Sequence, residues 1–314
     1  MSSSISQPKE IHLAATQGFC AGVASAIEVV ELALKKFGSP LYVRHHIVHN
    51  TMVIMDLEAK GVVFIECLDE VPSGEVVIFS AHGTSPEQYG LAKQRGVRVI
   101  DATCPLVTKV HRAAMRFSER GVQTILIGHK GHQELIGTSG YVDQNLLFVV
   151  ENIKDVDQLD IAQDRPVGYL TQTTLSVSDT KGIIERLKQR FPHIQSASKS
   201  QICYATQNRQ DAVLELARFC DVIIVCGSPH SSNSNRLKER AEQEGVQSYI
   251  IDMADELQAE WLTDKQCIGV TSGASVPKKI VDQTVSRIQS FYPETSLFEY
   301  ENKETGINFP IPAF

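Results

Sequence analysis

An α/β fold of three similar small lobes with mostly parallel sheets is predicted by three observations. Short β-branched runs alternate with longer helical patterns, these runs are apolar throughout, and three times a cysteine stands just before a helix. Strands that are apolar on both faces belong to parallel sheets covered by helices on each side. A chain of 314 residues has room for two or three such bodies.

In order, the candidate strands are 62–65 (VVFI), 75–80 (EVVIFS), 97–100 (VRVI), 124–128 (TILIG), 221–227 (DVIIVCG) and 267–271 (CIGVT). Each is short, β-branched and bounded by polar or glycine residues. Helical periodicity covers 24–37, 105–120, 180–190, 209–220 and 235–244, with Pro105 at a position that suits a first helical residue. Similarity between the three lobes is slight, so their likeness rests on arrangement rather than on a repeated sequence.

Composition limits the function. An apolar share of 42% is enough for a substantial core, and the 21% of charged residues are of both signs, so disorder is excluded. A net charge of −7 argues against a protein that coats nucleic acid, but not against a pocket for a small anion. The polar start, with Ser2, Ser3, Ser4 and Pro8, reads as a frayed leader without the basic and apolar parts of a secretory signal. No stretch has the length and apolarity of a membrane span, and a cytoplasmic location is expected.

Seven cysteines, none in C-x-x-C spacing, exclude a zinc ribbon and a bacterial ferredoxin run. Cys20, Cys104 and Cys203 each precede a helix, where free N–H groups and the helix dipole favour thiolate. Three such thiolates could ligate one iron–sulfur cluster and leave one iron open. The plain alternative for any one of them is a small buried hydrophobe, and that reading is given to Cys67, Cys220, Cys226 and Cys267.

The strand ends are followed by small polar and imidazole residues: 80–85 (SAHGTS), 128–134 (GHKGHQE), 171–174 (TQTT), 231–235 (SSNSN) and 271–275 (TSGAS). Ligands of parallel α/β sheets bind at the carboxyl ends of strands, so these edges predict one composite pocket rich in neutral donors. His49, His82 and His132 suit phosphate oxygens there, while His45, His46, His111, His193 and His230 read as structural or surface residues. Glu134 is the lone carboxylate among the edges, and burial would raise its pKa toward neutrality for proton delivery. Neither G-x-x-x-x-G-K-[ST] nor G-x-G-x-x-G is present, which counts against a nucleotide.

These residues resemble the 4-hydroxy-3-methylbut-2-enyl diphosphate reductase family, which acts last in the non-mevalonate isoprenoid pathway. The likeness runs from about residue 11 to 312, through GFCAG (18–22), YVRH (42–45), HN (49–50), SAHG (80–83), DATCPLVTKVH (101–111), TQTTLS (171–176), ICYAT (202–206), SSNSNR (231–236) and GAS (273–275). It implies an oxidoreductase with a [4Fe–4S] cluster held by Cys20, Cys104 and Cys203, one iron being without a protein ligand. His49, His82, His132, Ser231, Ser232, Asn233 and Ser275 would hold the diphosphate, with Thr173 in the substrate's hydroxyl network and Glu134 relaying a proton. Gln133, beside Glu134, stands where the family carries proline. The implied products are isopentenyl and dimethylallyl diphosphate, and the implied partner is reduced ferredoxin or flavodoxin, with no nucleic acid and no membrane. The lobes are expected at 11–104, 105–203 and 204–285, with a tail at 286–314 packing back on the first. A non-redox hydro-lyase and a diphosphate sensor remain as other readings. Dependence on reductant separates the first from the reductase, and lack of product the second.

Overall fold

The computed structural model describes residues 9–162, 164–197, 202–302, 304 and 306–312. The leader over 1–8, Gln201 before the third cysteine motif and the last two residues of the tail lie outside the described residues.

The strands of the first third are β1 (Lys9–Leu13), β2 (Leu41–Arg44), β3 (Val62–Ile65), β4 (Val76–Phe79) and β5 (Arg98–Asp101). Next come β6 (Gln123–Ile127), β7 (Leu147–Val150), β8 (Val167–Thr171) and β9 (Gln195–Ser196). The last are β10 (Val222–Cys226), β11 (Gln247–Ile251), β12 (Cys267–Ser272) and β13 (Thr295–Phe298). The helices are α1 (Ala21–Phe37), α2 (Thr51–Ala59), α3 (Pro86–Gln94), α4 (Pro105–Glu119) and α5 (Gln133–Ser139). They continue as α6 (Ile153–Asp157), α7 (Val177–Arg190), α8 (Tyr204–Ala217), α9 (Ser232–Gln243) and α10 (Lys278–Phe291).

The strands form three sheets, ordered β11-β10-β12-β1-β13, β3-β2-β4-β5 and β7-β6-β8-β9. Every pairing described in them is parallel, so the α/β lobes expected from the sequence are present. No helix among the described residues is long and apolar enough to cross a membrane.

The chain divides into two compact units. The first comprises Met1–Cys20, His49–Val53 and Tyr204–Ile307, and carries the five-stranded sheet. Alternate residues of its strands feed two cores. Ile11, Leu13, Ile224 and Val270 pack with Val281 and Ile288 of α10, while Ile223 and Val225 pack with Val213 and Leu216 of α8 and Leu237 of α9. Each such side chain, when fully buried, contributes about 1.5–3 kcal/mol.

The second unit comprises Ala21–Val48, Ile54–Cys203 and Asn308–Phe314 and carries both four-stranded sheets. Val77 and Phe79 pack with Ala92 of α3. Leu126 and Leu170 pack with Val110, Ala114 and Phe117 of α4, and Ile125, Ile127 and Tyr169 with Ile183 and Leu187 of α7.

The expected lobe boundaries need correction. Residues 9–13 do not open the first lobe: β1 inserts between β12 and β13, where both of its edges are paired and Ile11 and Leu13 join that core. Nor does the tail begin at 286, because α10 runs to Phe291 and β13 extends the same sheet. Only the chain end belongs with the second unit, where Ile311 and Pro312 line a groove with Leu32, Lys35 and Lys36 of α1. Helices α1, α7 and α9 also start three residues before the periodic pattern does. In α7 and α9 the added turn is held by an N-cap: Ser176 accepts from Asp179 N and Ser231 from Ser234 N.

Candidate active site

In the second unit the chain joins Glu134, Thr173 and Cys203. Glu134 lies in the first turn of α5, and Thr173 follows the end of β8. The Thr173 N–H donates to one Glu134 carboxylate oxygen at 2.7 Å, and its hydroxyl donates to the other at 2.9 Å. The Thr173 carbonyl in turn accepts from the Cys203 N–H at 3.0 Å. Glu134 is only 2% exposed, and burial pushes its pKa up to about 7, against the lowering effect of the two bonds from Thr173. This is a carboxyl able to hold or release a proton near neutral pH.

His132 caps the same helix. Its Nδ1 accepts from the Glu134 N–H at 3.2 Å, so the neutral ring carries its proton on Nε2, a donor suited to an anion. The His82 ring lies edge-on to it, with centroids 6.0 Å apart. Gln133 is the first residue of α5, where a proline's missing N–H would leave no helix bond unmade.

Gly83, at φ +87°, lets the His82 loop rest on His111: a Cβ there would come within 2.5 Å of the imidazole. His111 is buried, stacks on Tyr141 and is pushed down to a pKa of about 4 by burial, so it is a neutral wall. Its structural role matches the sequence reading.

Cys104 is the N-cap of α4, and its N–H donates to Ala81 O at 3.1 Å, in the loop that carries His82. Its sulfur lies against the first turn of α1. A Cβ on Gly22 would sit 2.6 Å from Cys104 Sγ, so only glycine leaves room for the thiol there. The glycine two residues after Cys20 therefore makes space for the second cysteine of the proposed set.

In the first unit, Cys20 N donates to Ala274 O at 3.0 Å and Gly18 N to Ser272 Oγ at 2.8 Å. The Arg209 guanidinium holds the same loop from α8. It donates to Gly18 O at 2.8 Å and Ala205 O at 3.0 Å, and pairs with Glu304 at 3.0 Å while itself fully buried. Sequence reading missed this clamp. Its signal was available: Arg209 falls on the buried stripe of Ala205, Ala212, Val213 and Leu216.

Ser275 Oγ donates to His49 O at 2.9 Å. Ser231, buried, caps α9, whose first residues are Ser232 and Asn233. Asn233 is 5% exposed, yet neither its amide oxygen nor its nitrogen has a hydrogen-bond partner among the described residues. Its Nδ2 lies 3.5 Å from where a Cβ on Gly273 would be, two residues before Ser275. A buried amide with unmet bonds at a helix N-terminus suits an anionic ligand. Asn50, also missed, spends its oxygen on Val53 N and leaves Nδ2 similarly unmet.

An iron–sulfur cluster takes thiolate sulfurs as its protein ligands. Cys20, Cys104 and Cys203 are half-buried, all at helix starts, whereas Cys220, Cys226 and Cys267 are buried. Burial raises the pKa of those three, Cys226 to about 12, and so keeps them as thiols. Cys67, read from the sequence as a buried hydrophobe, is instead exposed, at the start of a three-residue 3₁₀ turn rather than an α-helix. Cys20, Cys104 and Cys203 combine access with the starts of α-helices, and that setting fits thiolate ligation. Glu10, His12 and Cys267 also bring possible ligand atoms within 4.8 Å of one another. Their groups are engaged, His12 with Tyr300 and Glu10 and Cys267 with Cys220.

Comparison with known proteins adds a second line. The model of the family described as LytB protein matches residues 11–289. A Xylella fastidiosa protein named 4-hydroxy-3-methylbut-2-enyl diphosphate reductase is 52% identical over 307 residues, covering 96% of this chain and 97% of its own. A Nitrosomonas europaea protein of the same name is 48% identical, covering 96% of this chain and 95% of its own. The solved E-1-hydroxy-2-methyl-but-2-enyl-4-diphosphate reductase of Plasmodium falciparum superposes with a TM-score of 0.90 at 38% identity, covering 98% of this chain and 95% of that one.

Proposed function

The chain belongs to the LytB protein family, and from that premise we propose that it is an oxidoreductase acting on 4-hydroxy-3-methylbut-2-enyl diphosphate. It removes the substrate hydroxyl as water and yields isopentenyl and dimethylallyl diphosphate, with two electrons and two protons consumed. The carrying observation is the Glu134–Thr173–Cys203 connection, a carboxyl titrating near neutrality bonded to the residue that also binds a ligand cysteine.

Cys20, Cys104 and Cys203 would hold a [4Fe–4S] cluster, leaving one iron without a protein ligand. When bound, the cluster supplies electrons and a Lewis-acidic metal. The protein's own groups do the rest. His49, His82, His132, Ser231, Ser232, Asn233 and Ser275 bind the diphosphate, supported by the Nε2 proton of His132 and the unmet amide of Asn233. Binding energy from this remote end orients the hydroxymethyl group. Thr173 places the Glu134 carboxyl, which delivers a proton as the hydroxyl leaves. Electrons come one at a time from reduced ferredoxin or flavodoxin, and the reaction takes place in the cytoplasm.

The test is anaerobic purification with iron and sulfide analysis, then a substrate assay with and without reductant. Oxygen-sensitive, reductant-dependent product formation is expected. Turnover without any reductant would instead assign a hydro-lyase, and ligand binding without product a sensor.

A further inference from the structure

Resting on that reductase reading, we infer that the exposed face of α4 is the docking surface for an acidic one-electron carrier protein. Helix α4 is two-sided. Val107, Val110, Ala113, Ala114 and Phe117 are buried, while Lys109, Arg112, Arg116 and, just past its end, Arg120 are exposed. Their spacing of three, four and four residues sets these cations in one stripe along the helix.

The stripe makes no ion pair, and its one side-chain hydrogen bond among the described residues runs from Arg120 to the amide oxygen of Gln195. Lys109, Arg112, Arg116 and Arg120 have no ion pair among the described residues, whereas Arg95, Arg186, Arg236 and Arg240 are each matched by a carboxylate. Glu119 is the one carboxylate of this helix. In a chain of net charge −7, four cations sharing one face with the single carboxylate of Glu119 are a local reversal of sign. Met115, 41% exposed, flanks the stripe three residues after Arg112. Arginine and methionine are enriched where protein surfaces meet, and a one-sign patch steers a partner of the opposite sign.

The position of the stripe supplies the function. The N-cap of α4 is Cys104, a ligand in the proposed site, and Lys109 begins about 7.5 Å along the helix axis from it at about 1.5 Å per residue. A carrier held on this face stands beside the element that ends in a ligand. Each docking event oxidises the carrier by one electron. Two events, with two protons, break the substrate's C–O bond, form a C–H bond and release water.

The test compares the holoenzyme with Arg112→Glu/Arg116→Glu and with a charge-matched control, Lys154→Glu/Lys188→Glu, whose lysines are exposed elsewhere on the same unit. The probe is a purified acidic bacterial flavodoxin. Its direct binding is measured by calorimetry at low and high salt, and turnover is measured with reduced flavodoxin and with dithionite plus methyl viologen. The stripe variant is expected to bind flavodoxin at least about tenfold more weakly, with a shallower salt dependence. Its kcat/KM for flavodoxin should fall comparably, while turnover with the chemical reductant and all properties of the control stay at wild-type levels. Undiminished binding by the stripe variant, equal loss in the control, or no binding by the wild type overturns the docking surface alone. Absence of wild-type turnover with the chemical reductant overturns the reductase reading beneath it.

Discussion

The carboxylate of Glu134 accepts both hydrogen bonds that Thr173 can donate, one from its backbone and one from its hydroxyl, in a site where Glu134 is almost fully buried. The two bonds favour the charged form and burial favours the neutral form, and burial prevails, leaving the carboxyl near pH 7. A group so balanced is responsive to small changes around it.

Replacing Glu134 by Gln keeps the size and removes the titrating proton. Turnover should fall by about 10²–10⁴-fold, with substrate affinity retained, as checked by steady-state kinetics beside direct binding. Unchanged turnover would reject the proton role.

Thr173→Val removes the hydroxyl bond but leaves the backbone one. The charged carboxylate loses a donor, so the pKa of Glu134 rises further. Because the acid must be protonated to act, activity falls as pH rises through that pKa, and the falling limb of the kcat profile should move to higher pH. A profile that keeps its midpoint while kcat drops would make Thr173 a packing residue only.

The raised pKa also has a stability consequence. The folded carboxyl binds its proton up to about pH 7, whereas an ordinary one releases it near 4.5. The contribution is fully present below pH 4.5 and is lost as pH rises through 7. Relative to Glu134→Gln, the apoprotein should lose roughly 3 kcal/mol over that interval, measured by urea unfolding at several pH values. A constant difference between the two proteins would contradict the burial of this charge.

Gly22→Ala places a methyl where Cys104 Sγ lies, 2.6 Å away. The thiol must shift, and bound iron per chain should fall severalfold after anaerobic reconstitution. Cys226→Ala provides the contrast: it should retain iron, because Cys226 is fully buried away from any helix start, and lose only about 1 kcal/mol through a small cavity. Equal iron loss in both would remove the distinction between the two sets of cysteines.

Glu304→Ala leaves the Arg209 guanidinium buried without its carboxylate. A cost of about 3–5 kcal/mol is expected in chemical denaturation. Since Arg209 also holds the carbonyl of Gly18, two residues from Cys20, iron retention should fall with it. A Tm equal to wild type would show the pair to be dispensable.

Much of this was legible along the chain. Strands such as 124–128 and 221–227 announce themselves because they are β-branched and buried on both faces, and Cys104 followed by Pro105 marks a helix start by local stereochemistry. The polar strand ends carried His82, Glu134, Ser231 and Ser275 for the same reason: a parallel sheet presents its carboxyl edge to ligands. The lobe limits were read less well, because β1 and β13 are short and the side on which a strand pairs is not written in its own residues.

The sequence by itself determined the α/β class, the cysteines at helix starts and the types of donor at the strand ends, since these follow from periodicity and capping within a few residues. Only the tertiary structure decided that β1 joins β12 and β13, that Gly22 yields space to Cys104, that Thr173 binds Glu134 and that Arg209 reaches Gly18. Those pairings connect residues far apart in the chain. They are selected by burial and by the need of each enclosed polar group for a partner, which no local pattern records.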